Sequence, residues 1–147
     1  MGKFIQNGLS FSCTACSNCC RHEAGYVFLS KADLQKLTTH LNLSEESLLQ
    51  NFCRTVHYFD EIRLSLTEKT NHDCIFWSAD SNGCAVYEVR PLQCRLYPFW
   101  PTMLKADVWQ QAKTGCKGLD NGKFYSKEDI EILLQQREAE PLITLNT

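Results

Sequence analysis

The chain has 147 residues, of which 44% are hydrophobic and 22% are charged, and its formal net charge is -2. A chain of this length can bury a core of its own, which predicts a single domain over residues 1–147. The charge balance argues against a nucleic-acid partner, because phosphate binding depends on clustered Lys and Arg. No apolar stretch approaches the ~20 residues that cross a bilayer, so we expect no membrane partner.

The nine cysteines are the main anomaly of the composition. The N-terminal residues lack the apolar core of a signal peptide, so we expect a cytoplasmic protein. That compartment is reducing, and clustered thiols there are more often metal ligands or catalytic groups than disulfides.

The first elements are predicted from capping residues and apolar spacing. Residues 4–20 have no helical period, which indicates a short strand or loop leading into a cysteine-rich turn. A helix begins at Ser30, with Asp33 three positions later as in a capping box, and a second begins at Ser44. The apolar stripe of the first helix comprises Leu34, Leu37 and Leu41.

The later elements alternate between short strands and helices. Residues 56–66 predict one or two strands, and residues 74–87 predict a β-hairpin that turns at Asp80–Gly83. A short helix covers Leu92–Cys94, a strand covers Trp109–Lys113, and the last helix begins at Ser126 and ends before Pro141. The mixture of short strands and about three helices predicts an α+β fold, organised around a cysteine-ligated metal site.

The run Cys13, Cys16, Cys19 and Cys20 points to metal chemistry. A C-x2-C turn allows two sulfurs to share one metal at about 2.3 Å, and the spacing occurs twice in succession, as in ferredoxin-type runs. Side chains of adjacent residues diverge, so Cys19 and Cys20 are not expected to complete one tetrahedron together. One of them is expected to serve a second or bridging position.

Four more sulfurs follow downstream at Cys74, Cys84, Cys94 and Cys116. Eight thiols suffice for two four-sulfur sites, or for one cluster and a redox pair, and spacing does not choose between these. Cys53 stands in the predicted second helix outside any ligand spacing, so we interpret it as a buried structural thiol.

Two further features near the cysteines each have a simple structural interpretation beside the functional one. His22 follows the run closely, but a lone histidine is more often a satisfied polar group than a ligand. Arg90 and Arg95 flank Cys94 with Tyr97, and they either recognise an anionic partner or offset thiolate charge. We favour the charge offset.

The ordered motifs resemble the CxxCxxCC cysteine-cluster family of zinc- or iron-chelating domains. The resemblance implies that the eight cysteines named above are the chelating residues and that Cys53 has no counterpart. The matching segments are residues 11–20, Gly25–Leu29, Cys74–Phe76, Cys84–Tyr87, Arg90–Phe99 and Cys116–Gly118.

The same family is similar to the cysteine-rich part of flagellin lysine methylases, which implies a protein-modifying enzyme or its accessory as the alternative. No GxGxxG loop follows a predicted strand, so a Rossmann-type site for a methyl donor is not visible. A thiol-disulfide protein is a third interpretation.

Our leading hypothesis is a metal-binding protein that holds an iron-sulfur cluster or zinc. The triple C-x2-C-x2-C run and the resemblance favour a cluster of the 4Fe-4S type over zinc. The expected partners are the metal ion or cluster, and in addition a protein partner or protein substrate.

Overall fold

The computed structural model describes residues 2–14, 25–80 and 83–145. These residues form five α-helices and seven short strands, so the α+β class is confirmed, although the expected number of helices was too low. In chain order the elements are β1 (Leu9–Phe11), α1 (Lys31–Leu41), α2 (Glu45–Phe52), β2 (Cys53–Tyr58), β3 (Glu61–Leu66), β4 (Trp77–Ser78), β5 (Gly83–Cys84), a 3-10 helix (Tyr87–Val89), α3 (Leu92–Leu96), α4 (Ala106–Ala112), β6 (Leu119–Tyr125), α5 (Lys127–Ala139) and β7 (Thr144–Leu145).

The chain folds into two compact units. The first unit takes in the described residues of Met1–Cys19 together with Leu96–Ala139, and the second those of Cys20–Arg95 together with Glu140–Thr147. That residues 1–147 form a single domain stays a prediction.

In the first unit, β1 pairs antiparallel with β6. Helix α4 buries Trp109, whose ring centroid lies 5.7 Å from that of Phe4 and 6.4 Å from that of Phe99. Burial of such large rings supplies much of the driving force for a small core. The buried core of this unit comprises Ile5, Phe99, Met103, Leu104, Trp109, Leu119 and Ile130.

The strand predicted at Trp109–Lys113 is wrong, because helix α4 spans Ala106–Ala112. Ala and Gln are good helix formers, and they outnumber the β-prone residues of this segment. Trp109, the β-prone residue at the start of the predicted strand, packs in the aromatic core from a helix instead.

In the second unit, three antiparallel strands pair in the order β2-β3-β7. The predicted caps of α1 and α2 are both confirmed, since Ser30 Oγ accepts from Asp33 N–H at 3.1 Å and Ser44 Oγ from Ser47 N–H at 3.1 Å. Asp33 completes the capping box, because its Oδ2 accepts from Ser30 N–H at 2.9 Å. The buried core of this unit comprises Leu29, Leu34, Leu37, Leu48, Cys53, Leu64, Leu66, Phe76 and Val86.

The strands predicted over residues 56–66 are confirmed as β2 and β3, which join through a tight turn at Phe59. The predicted hairpin is confirmed as the pair β4 and β5. Ser81 and Asn82, which the prediction puts in its turn, lie outside the described residues. The segment Gly25–Leu29 runs alongside β3, with a single bridge between Phe28 and Ser65. The last predicted helix is confirmed as α5, which ends at Ala139 before Pro141.

Candidate metal centre

Two cysteines of the predicted set lie at one end of the β1–β6 ribbon in the first unit. Beyond β1, Ser12 N–H donates to the Gly118 carbonyl at 3.3 Å, and Ser12 Oγ accepts from Lys123 N–H at 2.9 Å. Cys13 follows Ser12 and Cys116 precedes Gly118 by two residues, so both leave the ribbon at the same end. Cys13 is exposed and Cys116 is partly buried.

Glycine is required where the segment at Ser12 approaches the segment at Gly118 and Gly122. A Cβ built on Gly118 would overlap the Ser12 carbonyl oxygen, and one built on Gly122 would overlap the Ser12 hydroxyl. Gly122 also has a φ of +84°, a region that side chains disfavour. These glycines therefore fix where the strand that leads to Cys13 runs beside the loop of Cys116.

Cys74 and Cys84 lie at the base of the β4–β5 hairpin in the second unit. Trp77 pairs with Cys84 across the hairpin, and Trp77 N–H donates to the Cys74 carbonyl at 2.9 Å. The pairing continues beyond β5, where Ala85 N–H donates to the Phe76 carbonyl at 2.7 Å. Both cysteines are partly buried and pack against the core of this unit. The hairpin thus brings two sulfur-bearing residues, separated by ten positions in sequence, to the same end.

Cys94 lies in α3, which begins after Pro91 as predicted. Cys94 N–H donates to the Pro91 carbonyl at 2.9 Å, and Leu92 N–H donates to Asp33 Oδ1 at 3.0 Å. Asp33 is fully buried, so this bond connects the start of α3 firmly to the start of α1. The capping role of Asp33 was predictable from sequence, whereas its bond to Leu92 was not, because 59 positions separate the two residues.

The two arginines near Cys94 contact local backbone. Arg90 Nε donates to the Tyr87 carbonyl at 3.0 Å, and its guanidinium carbon lies 3.9 Å from the centroid of the Tyr87 ring. Arg95 Nε donates to the Arg90 carbonyl at 3.2 Å. Both side chains thus support the turn before α3, and the offset of thiolate charge stays a prediction.

Cys53 differs from the other described cysteines, as predicted. It is buried in the core of the second unit, and burial raises the pKa of its thiol to about 11. The thiolate is the form that binds metals, so this environment disfavours ligation. Its predicted position was wrong, because Cys53 is the first residue of β2 rather than part of α2.

The described residues alone do not complete a metal site. Among residues 2–14, 25–80 and 83–145, no three His, Cys, Asp or Glu side chains group so as to hold a metal ion. Cys16, Cys19, Cys20 and His22 lie outside the described residues. The assignment of all eight cysteines as ligands therefore stays a prediction.

The chemistry of the donors nevertheless fits a thiolate-bound metal. The described members of the predicted set are at least partly exposed, and no disulfide joins any two of the described cysteines. Cys74, Cys84 and Cys116 pack at the margins of the apolar cores, and none of the described members is buried as Cys53 is. Those members are Cys13, Cys74, Cys84, Cys94 and Cys116.

No helix in the described part of the chain combines the length and apolar character needed to cross a membrane.

Comparison with known proteins identifies the family. The model of the CxxCxxCC family, described as "Putative zinc- or iron-chelating domain", matches residues 12–123 and so includes all eight predicted ligands. An uncharacterized protein of Methanocaldococcus jannaschii is 32% identical over 94 residues, which is 63% of this chain and 47% of that protein. The chain thus spans about half the length of this curated relative. No solved structure matches the chain. The chain therefore belongs to the CxxCxxCC family, and metal binding is the general function that this membership supports.

Proposed function

We propose that this chain holds an iron-sulfur cluster or zinc through eight cysteine thiolates. The observation that carries the proposal is the contrast between the cysteines within the matched range 12–123. Cys53 is buried with a raised thiol pKa, whereas the described members of the predicted set are exposed or only partly buried. The proposed ligands are Cys13, Cys16, Cys19, Cys20, Cys74, Cys84, Cys94 and Cys116.

We assign these sulfurs to two groups, because the described cysteines belong to two compact units. Cys13 and Cys116 belong to the first group, while Cys74, Cys84 and Cys94 are assigned to the second. This second assignment requires metal binding to draw the three sulfurs together, because no three described side chains of the ligand types group so as to hold an ion. We infer that the cysteine run completes both groups, with Cys19 and Cys20 contributing one sulfur to each, because adjacent residues in a chain usually project their side chains in different directions. Four thiolates per group match the ligand number of zinc and of an iron-sulfur cluster alike.

Within this proposal we favour an iron-sulfur cluster of the 4Fe-4S type for the group that contains Cys13. The triple C-x2-C-x2-C spacing is the one that ferredoxin-type clusters use. A bound cluster would supply one-electron chemistry, whereas zinc would supply structural support or Lewis acidity. The backbone beside the described cysteines is fixed by hydrogen bonds of Ser12, of Pro91 and of the base of the β4–β5 hairpin.

The identity of the metal is tested by anaerobic purification, metal analysis and a visible spectrum. A cluster absorbs visible light and bleaches on reduction, while zinc is colourless and redox-silent. We expect iron, inorganic sulfide and a visible band that dithionite bleaches. A colourless protein that carries zinc would overturn the cluster assignment, and a protein without metal would overturn the proposal as a whole.

Single substitutions test the ligand assignment and the two groups. We expect Cys116→Ser and Cys74→Ser each to lose the metal of one group and to retain that of the other, with the double variant losing both. Cys53→Ser is the matched control and should retain the metal content of the wild type. Loss of all metal from each single variant would replace two groups by one shared site.

The alternative, a protein-modifying enzyme or its accessory, gains no support from the described strands. All pairs among them are antiparallel, whereas Rossmann-type cofactor sites are built on parallel strands. A protein partner or protein substrate stays a prediction.

A further inference from the structure

The side chain of Gln93 connects two segments of the second unit. Its Oε1 accepts from Phe28 N–H at 3.1 Å, and its Nε2 donates to the Tyr26 carbonyl at 2.7 Å. One amide thus satisfies a backbone donor and a backbone acceptor two residues apart. An extended chain presents such a pair of groups along one edge.

The opposite edge of the same segment is held by β3. Leu66 N–H donates to the Val27 carbonyl at 3.0 Å, and Leu29 N–H donates to the Leu64 carbonyl at 3.1 Å. Val27 N–H in turn donates to Ser65 Oγ at 3.1 Å. The segment therefore lies between a strand on one edge and the amide of a single glutamine on the other.

The helix that carries Gln93 is fixed from another direction. Its first residue, Leu92, donates to the buried carboxyl of Asp33 at the start of α1. With that end anchored, the bonds from Gln93 determine how the segment at Tyr26 and Phe28 aligns with α3 and with its cysteine at position 94.

The location of these contacts relates them to the metal ligands. The segment begins at Gly25, a few residues after the last cysteine of the CxxCxxCC run, and Gln93 immediately precedes Cys94. We propose that Gln93 is a positioning residue, which holds the chain leaving the cysteine run against the helix that bears Cys94. The inference rests on the proposed function, since it assigns Gln93 a role toward the metal group of the second unit.

The amide is chemically specific for this role, because it offers one acceptor and one donor together. Glutamate retains the acceptor for Phe28 N–H but offers no donor to Tyr26 when ionised. Methionine has a similar length and offers neither strong group. Gln93→Glu and Gln93→Met therefore remove one bond and both bonds, respectively.

The test measures how fast EDTA removes metal from the purified holoprotein, followed by metal analysis and by thiolate-to-metal absorption. Loss of a residue that orients metal ligands typically costs about 10- to 100-fold in affinity. We expect Gln93→Met to accelerate metal loss from one group by about that factor, and Gln93→Glu by less. The absorption of the metal that remains should also change, which loss of stability alone does not produce.

Ser65→Ala is the matched control, because it loosens the same segment from its other edge without touching α3. We expect this variant to lower the melting temperature while the rate of metal loss stays close to that of the wild type. Equal acceleration in Ser65→Ala and Gln93→Met would overturn the positioning role. If Gln93→Met fails to fold, the comparison of Gln93→Glu with Ser65→Ala decides in the same way.

A protein that binds no metal and a protein in which Gln93 has no positioning role would give different results. A wild-type protein without bound metal would overturn the proposed function and this inference together. Metal that is bound by the wild type and lost in Cys94→Ser, but released at the wild-type rate from Gln93→Met, would overturn this inference alone.

Discussion

The indole N–H of Trp109 donates a hydrogen bond to Asp120 Oδ1 at 2.9 Å. Asp120 Oδ2 lies 2.9 Å from Lys113 Nζ, so one carboxyl serves a buried indole and an exposed ammonium group together. Trp109 is the largest fully buried side chain among the described residues. Its polar atom therefore depends on Asp120, which follows the loop of Cys116.

Replacing Asp120 should separate its two contacts. Asp120→Asn retains an oxygen for the indole and loses the ion pair, for which we expect a cost of about 0.2–1 kcal/mol. Asp120→Ala leaves the buried N–H without a partner, at about 1–3 kcal/mol. Alanine also disfavours the φ of +65° found at this position, whereas asparagine adopts it readily. Urea unfolding measures both costs, and equal losses would contradict the role of the indole bond.

The same carboxyl makes stability depend on pH. The hydrogen bond from Lys113 is the largest of the effects that lower the pKa of Asp120, and the bond from Trp109 adds to it. A lowered pKa in the folded state contributes stability above the unfolded pKa, and that contribution is lost as pH falls through the folded value. The unfolding free energies of wild type and Asp120→Asn should differ by a constant amount from about pH 5 to 8 and converge below about pH 4. A difference that grows on acidification would contradict this sign.

Alanine should lower stability at Gly118, two residues after Cys116, but not at Gly115, the residue before it. In Gly118→Ala the new methyl group would overlap the Ser12 carbonyl oxygen, which is backbone and cannot move away cheaply. We expect a loss of about 1–3 kcal/mol, as for other overpacked sites. In Gly115→Ala the methyl group would meet the Ala112 carbonyl oxygen at 4.0 Å, an ordinary contact among the described residues. The melting temperatures of the two variants provide the comparison. Similar values would contradict the prediction, because they would mean that the backbone at Ser12 moves aside at little cost.

Cys53 should resist alkylation in the folded protein. Burial raises the pKa of its thiol to about 11, so at pH 8 only about one molecule in a thousand carries the thiolate there. With EDTA present, iodoacetamide should modify the exposed Cys13 quickly and Cys53 only after unfolding, as read by peptide mass spectrometry. A fully denatured sample, in which all nine cysteines react, is the control. Rapid modification of Cys53 in the native state would contradict its burial.

Local signals account for the parts of the fold that were predictable from sequence. Ser30 with Asp33 and Ser126 with Asp129 form reciprocal caps, and both pairs mark helix starts correctly. A capping box involves four consecutive residues, so its physics is contained in the sequence itself. The hairpin at residues 74–87 was predictable for the same reason.

The missed elements depend on distant residues or lack a local signal. Helix α4 begins at Ala106, and its N-cap residue Lys105 makes no side-chain capping bond. Its Trp109 packs against the rings of Phe4 and Phe99. The bonds from Gln93 to the segment at Tyr26 and Phe28 cross 65 and 67 positions. No local sequence pattern predicts these long-range contacts, because they form only when the helices and strands pack.

The candidate site likewise has a part that local sequence predicts and a part that depends on distant residues. Ligand spacing predicts that the cysteines of the CxxCxxCC run are metal ligands, and that assignment stays a prediction. The same criterion set Cys53 apart, and its burial is confirmed. The placement of Cys13 and Cys116 at the same end of the ribbon follows from the pairing of β1 with β6, which are separated by more than a hundred residues. Cys16, Cys19 and Cys20 lie outside the described residues, so their part in the site stays a prediction.

The shared carboxyl of Asp33 has a consequence for how the second unit opens. Ser30 N–H and Leu92 N–H both donate to it, so the beginnings of α1 and α3 depend on one acceptor pair. If either helix start frays, the carboxyl becomes hydrated and the other start loses its partner. The two helix starts should therefore exchange their amide hydrogens as one cooperative unit. The helical conformation at Cys94 in α3 then depends on α1, which begins 61 positions before α3.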